Sequence, residues 1–172
     1  MEYKNEKVII VGPGASGKDY LSEKLIGMGL NKSVSYTTRP KRDNEVDGET
    51  YNFVTKDKFQ EMISNDEFYE YEVFLDDWYY GSTVKDWNEC NLFIKTVGGI
   101  SQIKEEDRKN CFVVYLDIDE DIRYERLLER KDVDSVNRRI DADKEDFRKF
   151  EDFDLRIRDE KFTPGMVYDL MS

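Results

Sequence analysis

Histidine is absent from the 172 residues, and there are only two cysteines and three prolines. Without an imidazole, Ser/His and Cys/His nucleophilic catalysis are excluded. Zinc sites are excluded with them, because Cys90 and Cys111 form no C-x-x-C pair. Two free thiols suit a reducing cytoplasm. Long apolar runs are also missing. Met1 to Lys7 lead into four consecutive apolar residues, against about 20 for a membrane span and about 7 to 15 for a signal-peptide core, so neither a membrane nor a targeting segment is expected. Positive charge is in deficit: 27 Lys and Arg face 39 Asp and Glu, a net charge of −12. Such a chain repels a phosphate backbone, which argues against a nucleic-acid partner. What is present is bulk: ten Phe, eleven Tyr and two Trp supply the apolar bodies that a disordered chain lacks. The length fits a single domain with one core.

Val8 to Val11 is a short β-branched run ended by Gly12, the pattern of a central strand buried on both faces. A glycine-rich turn follows, then Leu21, Leu25 and Met28 at helical spacing, stopped by Gly27 and Gly29. Ser33 to Tyr36 reads as a second strand, and the charged stretch Thr37 to Glu49 as surface. Thr55 is placed to cap a helix carrying Phe59, Met62 and Ile63, and Phe68 to Leu75 alternates as a strand with Glu70 and Glu72 on one face. Further strands are expected at Leu92 to Ile94, Phe112 to Leu116 and Asp154 to Ile157. Helices are expected through Ile100 and Ile103, after the acids Asp119 to Asp121, through Val136 to Phe147, and at Val167 to Met171. Strands separated by helices predict an α/β fold with a mostly parallel sheet flanked by helices.

Gly12-Pro13-Gly14-Ala15-Ser16-Gly17-Lys18-Asp19 matches G-x-x-x-x-G-K directly after a buried strand and at the opening of a helix. Glycines there let backbone N–H groups turn inward around a phosphate, and Lys18 offers a mobile ammonium to the terminal phosphates of a nucleotide such as ATP. The alternative is a glycine turn with a surface lysine. Asp19 stands where the motif calls for the Ser or Thr whose hydroxyl ligates Mg²⁺. It is either a candidate Mg²⁺ ligand or a cap of the helix N-terminus.

Four ordered segments carry a family resemblance. They are the phosphate loop, Ser33 to Arg42 with Glu45 to Val54, Asp66 to Tyr71, and Tyr79 to Thr83. Together they closely resemble guanylate kinases over roughly residues 8 to 83, and the remainder does so more loosely. The resemblance implies a P-loop nucleoside-monophosphate kinase fold with a parallel five-stranded core (1–34, 86–125 and 141–172), a base-binding insert (35–85) and a short lid (126–140). It implies transfer of the γ-phosphoryl of Mg·ATP to GMP or dGMP, with Lys18, Arg39, Arg126, Arg130 and Arg139 catalytic. Arg39, Arg42, Tyr51 and Tyr80 would take the acceptor phosphate, and Ser35, Glu70 and Ser82 the base. The chemistry agrees with this. Guanidinium forks and phenols suit a phosphate, and the Glu70 carboxylate can accept from both N1–H and the 2-amino group of guanine. Singly, Arg39 and Arg42 read equally as a solvated turn, Glu70 as a strand carboxylate facing water, and the lid arginines as an exposed face laced with Glu/Arg pairs.

Two features depart from the family pattern. Guanylate kinases carry a D-x-D at the end of the strand read here as Leu92 to Ile94, whereas this chain has no acid between Asn91 and Gly99. Those acids help hold base and metal in the family, so Asp19 is the candidate replacement for the metal's anionic anchor. The stretch between Arg130 and Arg139 is also shorter than usual. Two other functions stay open on the sequence: a kinase for a different nucleoside monophosphate, and a guanylate-kinase-like binding module without chemistry. The intact Gly12, Gly17 and Lys18 speak for an enzyme.

Overall fold

The computed structural model describes residues 6–74, 78–130 and 135–171. In chain order its elements are β1 (Lys7–Val11), α1 (Lys18–Gly27), β2 (Tyr36–Thr37), β3 (Asn52–Phe53), α2 (Lys56–Ser64), β4 (Phe68–Phe74), β5 (Trp78–Thr83) and α3 (Val84–Glu89). The second half continues with β6 (Leu92–Ile94), α4 (Val97–Ser101), α5 (Glu105–Arg108), β7 (Cys111–Leu116), α6 (Glu120–Glu129), α7 (Val136–Phe147), β8 (Leu155–Ile157) and α8 (Pro164–Met171).

Two sheets organise the molecule. The parallel sheet runs β6-β1-β7-β8, with every pairing parallel. Its β1 lies at the centre because its four apolar residues can be buried on both sides. Val8 and Ile10 pack with Leu21, Leu25 and Val167 on one face, and Ile9 and Val11 with Trp87, Phe93 and Ile100 on the other. The mixed sheet runs β3-β2-β5-β4, with β2 and β3 parallel and β5 antiparallel to both β2 and β4. It is covered by α2, whose Thr55 hydroxyl accepts from the Lys58 N–H and whose Phe59 stacks on Phe68 at 4.4 Å. No described helix is long and apolar enough to cross a membrane.

The structure differs from the sequence expectation in several places, β3, β5, α3 and α5 being unforeseen and Ile103 lying past the end of α4. Four strands pair in the parallel sheet among the described residues, where five were expected. The segment read as one strand over Ser33 to Tyr36 is divided between the sheets. Lys32 makes an isolated parallel bridge to Leu92, the Ser33 N–H donates to Leu92 O, and Tyr36–Thr37 belongs to the mixed sheet. Thr37 to Glu49 is not all surface, because Thr37, Arg39 and Glu45 are buried. Met28 is not part of the buried stripe of α1; it caps the helix C-terminus and is exposed. Leu75, expected at the end of β4, lies outside the described residues, as do 131–134 of the expected lid.

Candidate active site

The phosphate loop leaves the C-terminal end of β1 and turns into α1. Gly17 takes φ 99°, a left-handed conformation that strains any residue with a Cβ. Gly12 is required for space, since a Cβ there would lie 2.5 Å from Ser16 Oγ and 2.9 Å from Leu116 O. Lys18 bends back over the loop and donates to Gly12 O at 2.7 Å and Pro13 O at 3.0 Å. Burial lowers its pKa from 10.5 to about 8, against the opposing charges of Asp143 and Asp19. Asp143 reaches the loop from α7 and accepts from the Gly14 N–H at 3.0 Å. Arg126 donates to Ala15 O at 3.0 Å from the outer side of the loop.

Two adjoining recesses open from this loop. One, of about 720 Å³, gathers Gly14 to Asp19 with Arg39, Arg42, Tyr51, Tyr80, Arg130 and Arg139. The other, of about 750 Å³, runs from Gly12, Gly14 and Lys18 past Ser35, Tyr51 and Tyr80 to Glu70 and Lys95. Arg39 is only 2% exposed and makes a fork-to-fork pair with Glu45, both bonds at 2.8 Å. Burial alone would raise the Glu45 carboxyl, but the Arg39 bonds outweigh it and hold the group below the usual value of 4.5. The rings of Tyr51 and Tyr80 meet edge to face at 5.9 Å, and burial pushes the Tyr51 phenol well above its ordinary range.

At the far end Glu70 is 6% exposed. Its Oε1 accepts from the Ser82 N–H at 3.1 Å, the Ser82 hydroxyl at 2.5 Å and the Lys95 ammonium at 2.6 Å. Lys95 donates also to Ser82 Oγ at 2.7 Å, and burial lowers its pKa against the pull of Glu70. Beside this group the Thr96 hydroxyl donates to Glu72 Oε2 at 2.5 Å, and the Glu72 carboxylate lies over Gly98, where a Cβ would come within 2.0 Å of it. At the rim Asp146 is pushed up to about 6, first by burial and then by the charges of Glu72 and Asp143.

Most of the sequence-predicted residues therefore converge. The loop residues from Gly14, together with Arg39, Arg42, Tyr51, Tyr80, Arg130 and Arg139, share one recess, and Ser35 and Glu70 line the next. Ser82 stands behind Glu70, bonded to it, and does not line the recess. Arg126 lines neither recess. Sequence reasoning missed Glu45, Glu72, Lys95, Thr96 and Asp143. The alternation of β4, which sets Glu72 on the face of Glu70, and the i, i+4 spacing of Arg139 and Asp143 on α7 were the available signals.

A strand, a phosphate loop and a helix on a parallel sheet, facing a second sheet across a polar cleft, define a P-loop nucleotide-binding fold built for phosphoryl transfer. The profile of the family described as guanylate kinase matches residues 4–166. Among curated relatives, the guanylate kinase of Lactococcus lactis subsp. lactis (strain IL1403) is 30% identical over 164 residues, 90% of this chain and 80% of that protein. The guanylate kinase of Helicobacter hepaticus (strain ATCC 51449 / 3B1) is 32% identical over 174 residues, 93% of this chain and 85% of that protein. The crystal structure of guanylate kinase from Anaplasma phagocytophilum shares the fold with a TM-score of 0.72, at 19% identity, covering 96% of this chain and 84% of that one. The chain belongs to the guanylate kinase family.

Proposed function

We propose that this chain transfers the γ-phosphoryl group of ATP to GMP or dGMP. One observation carries the reading: one recess joins the phosphate loop and Lys18 to a buried carboxylate, Glu70, past Tyr51, Tyr80 and Arg139, and the adjoining recess on the loop adds Arg39, Arg42 and Arg130. The acceptor nucleophile is a phosphate oxygen already ionised at neutral pH, so the chemistry needs no general base and the lack of histidine costs nothing. A bond forms from that oxygen to the γ-phosphorus as the bond to the β-bridging oxygen breaks. The protein's part is to align the reactants and neutralise charge.

The roles follow position. Gly12 to Gly17 and Lys18 hold the ATP phosphates. Arg39, Arg42, Tyr51 and Tyr80 hold the acceptor phosphate, and Arg130 and Arg139 close on the group in transit. Arg126, bonded to Ala15 O, acts through the loop. Residues 35–85 form the acceptor-binding insert on the mixed sheet, and 126–140 the lid. A hard cation such as Mg²⁺ suits the oxygen of Asp19, which is exposed on the first turn of α1 and borders the phosphate recess. Bound with ATP it would neutralise phosphate charge. Cys90 and Cys111 are unpaired, which fits a reducing cytoplasm.

The test is ADP release coupled to a reporter, with Mg·ATP and each of GMP, dGMP, AMP, UMP, CMP and dTMP. Turnover with GMP or dGMP and little with the others is expected. Turnover led by another base would reassign the acceptor, and none with any monophosphate would leave a binding module.

A further inference from the structure

We propose that Ala15 is a positioning residue: held in a left-handed backbone conformation, its methyl group is the contact through which the phosphate loop sets the two helices that carry Arg130 and Arg139. The proposal rests on the reading of these arginines as the groups that close on the phosphoryl group in transit.

Ala15 takes φ 61°, a region that the Cβ of an L-residue makes unfavourable and that glycine enters freely. The loop has Gly12, Gly14 and Gly17, yet at this position it carries a side chain. Such a conformation persists only where the surroundings hold it. Two contacts do so here. The Ala15 carbonyl accepts from Arg126 of α6 at 3.0 Å. The residue is 4% exposed, and its methyl packs with Leu127 of α6 and Ile140 of α7, with Val136 against them, in a small apolar cluster separate from the two that flank the parallel sheet. Among the described residues, Ala15 is the one member of that cluster from outside α6 and α7.

The neighbours show what the methyl aligns. Arg139 directly precedes Ile140, and its guanidinium lies over Gly14, where a Cβ would come within 3.2 Å of Nη2. Consecutive residues of the loop thus meet consecutive residues of α7: Gly14 leaves room for the cation, and Ala15 packs in the cluster of the apolar side chain beside it. Leu127 stands three residues before Arg130, the C-cap of α6, and both Arg130 and Arg139 border the phosphate recess. Glycine at position 15 would relieve the backbone and keep the carbonyl for Arg126, but it would leave α6 and α7 without their apolar foothold on the loop. The strained alanine serves the placement of the arginines and not the loop's own turn.

The experiment compares Ala15→Gly, checked for folding by its thermal melt, with the wild type in kcat, in KM for GMP and in amide hydrogen exchange. The kcat with GMP is expected to fall about fivefold or more while KM for GMP stays within about twofold. Exchange over α6 and α7 should rise about fivefold or more in the nucleotide-free protein, with β4 and β5 unchanged. Ile140→Ala empties the same contact from the other side, so it should lower kcat in the same way and add little to Ala15→Gly, whereas independent effects would multiply. Ile140→Val makes the same comparison if Ile140→Ala does not fold. An unchanged kcat, or unchanged exchange over α6 and α7, in Ala15→Gly overturns the proposal. So do effects that multiply in the double variant, and an equal rise of exchange in β4 and β5, which would mark a general loss of stability. If the wild type turns over no monophosphate, the proposed activity fails, while the exchange of α6 and α7 still decides whether Ala15 anchors them.

Discussion

Asp143 places its carboxylate in the backbone cradle of the phosphate loop, 3.0 Å from the Gly14 N–H that it accepts from and 129 residues away in sequence. The same Oδ2 lies 3.8 Å from Arg123 Nη1, so one buried carboxylate ties α7 to the loop and to α6. A phosphate oxygen of a nucleotide needs the same N–H, and two anions cannot share it. Asp143→Asn keeps the shape and removes the charge. Nucleotide should bind about three- to tenfold more tightly, the difference between a charge-assisted and a neutral hydrogen bond to the Gly14 N–H. The melting temperature should fall, because buried Arg123 loses its neighbouring charge at a cost of about 1 to 3 kcal/mol. Calorimetric titration and a thermal melt read the two effects. Weaker nucleotide binding would make Asp143 a support of the loop and not a competitor.

Lys18 gives a pH signature. Its folded pKa of about 8 lies below the ordinary 10.5, so folding favours its neutral form. The cost of burying the charge is fully present below about pH 8, and as pH rises from 8 towards 10.5 the folded state is relieved of it. Phosphates favour the ammonium, so binding ADP without divalent metal should draw about half a proton from solution at pH 8 and almost none at pH 6.5. Binding heats in two buffers of different ionisation enthalpy measure this. Lys18→Ala should abolish the uptake and lower phosphoryl transfer at least about a hundredfold, with the fold intact. Uptake that persists in Lys18→Ala would assign the proton to another group.

Much of this site was legible because its signals are local. The phosphate loop announces itself through glycine spacing after a four-residue apolar strand, and the alternation of β4 put Glu70 and Glu72 on one face before any coordinates. What the sequence hid is pairing across distance. The partner that makes Arg39 a buried residue is Glu45, reached by a tight turn. The carboxylates that stand at the strand end and in the loop come from β4 and α7. Lys95 reads as a polar interruption after Leu92 to Ile94, and only the folded structure shows that it meets Glu70 of β4. The edge of the parallel sheet was misread because one short segment serves both sheets, which no periodicity of two to four residues can reveal.

Arg39 and Glu45 form the second buried ion pair, 2% and 8% exposed. Removing one partner strands the other, so Glu45→Gln should destabilise the fold by about 3 to 5 kcal/mol in denaturant titration. The carboxyl is held below its usual 4.5. Its contribution is therefore present above that pH and is lost as pH falls below it. The gap in stability between wild type and Glu45→Gln should be widest at neutral pH and close progressively under about pH 4.5. A gap independent of pH would assign the loss to packing and not to the ion pair.

The strand end at Thr96 supplies the last test. No acid lies between Asn91 and Gly99 in the chain, yet a carboxylate is present there in space. Glu72 reaches across from β4, accepts from the Thr96 hydroxyl at 2.5 Å and lies over Gly98. The expectation that Asp19 must replace a lost strand-end acid therefore competes with a nearer source. Thr96→Asp would set two carboxylates within contact, and at about 4 Å and an effective dielectric near 20 their repulsion is on the order of 4 kcal/mol, enough to force one to take a proton or move. It would also exchange the hydroxyl that accepts from the Gly99 N–H at 2.9 Å for a carboxylate able to accept the same bond, so capping of α4 should survive. Thr96→Asp alone should then lose activity with GMP, and Thr96→Asp combined with Glu72→Ala should recover most of it, because one carboxylate again occupies the place. Asp19→Ser should raise the Mg²⁺ concentration for half-maximal activity whichever acid stands at the strand end. If Thr96→Asp leaves activity untouched with Glu72 in place, the strand-end position does not hold the two groups together in the working enzyme. If Asp19→Ser leaves the Mg²⁺ requirement unchanged, Asp19 serves only the first turn of α1.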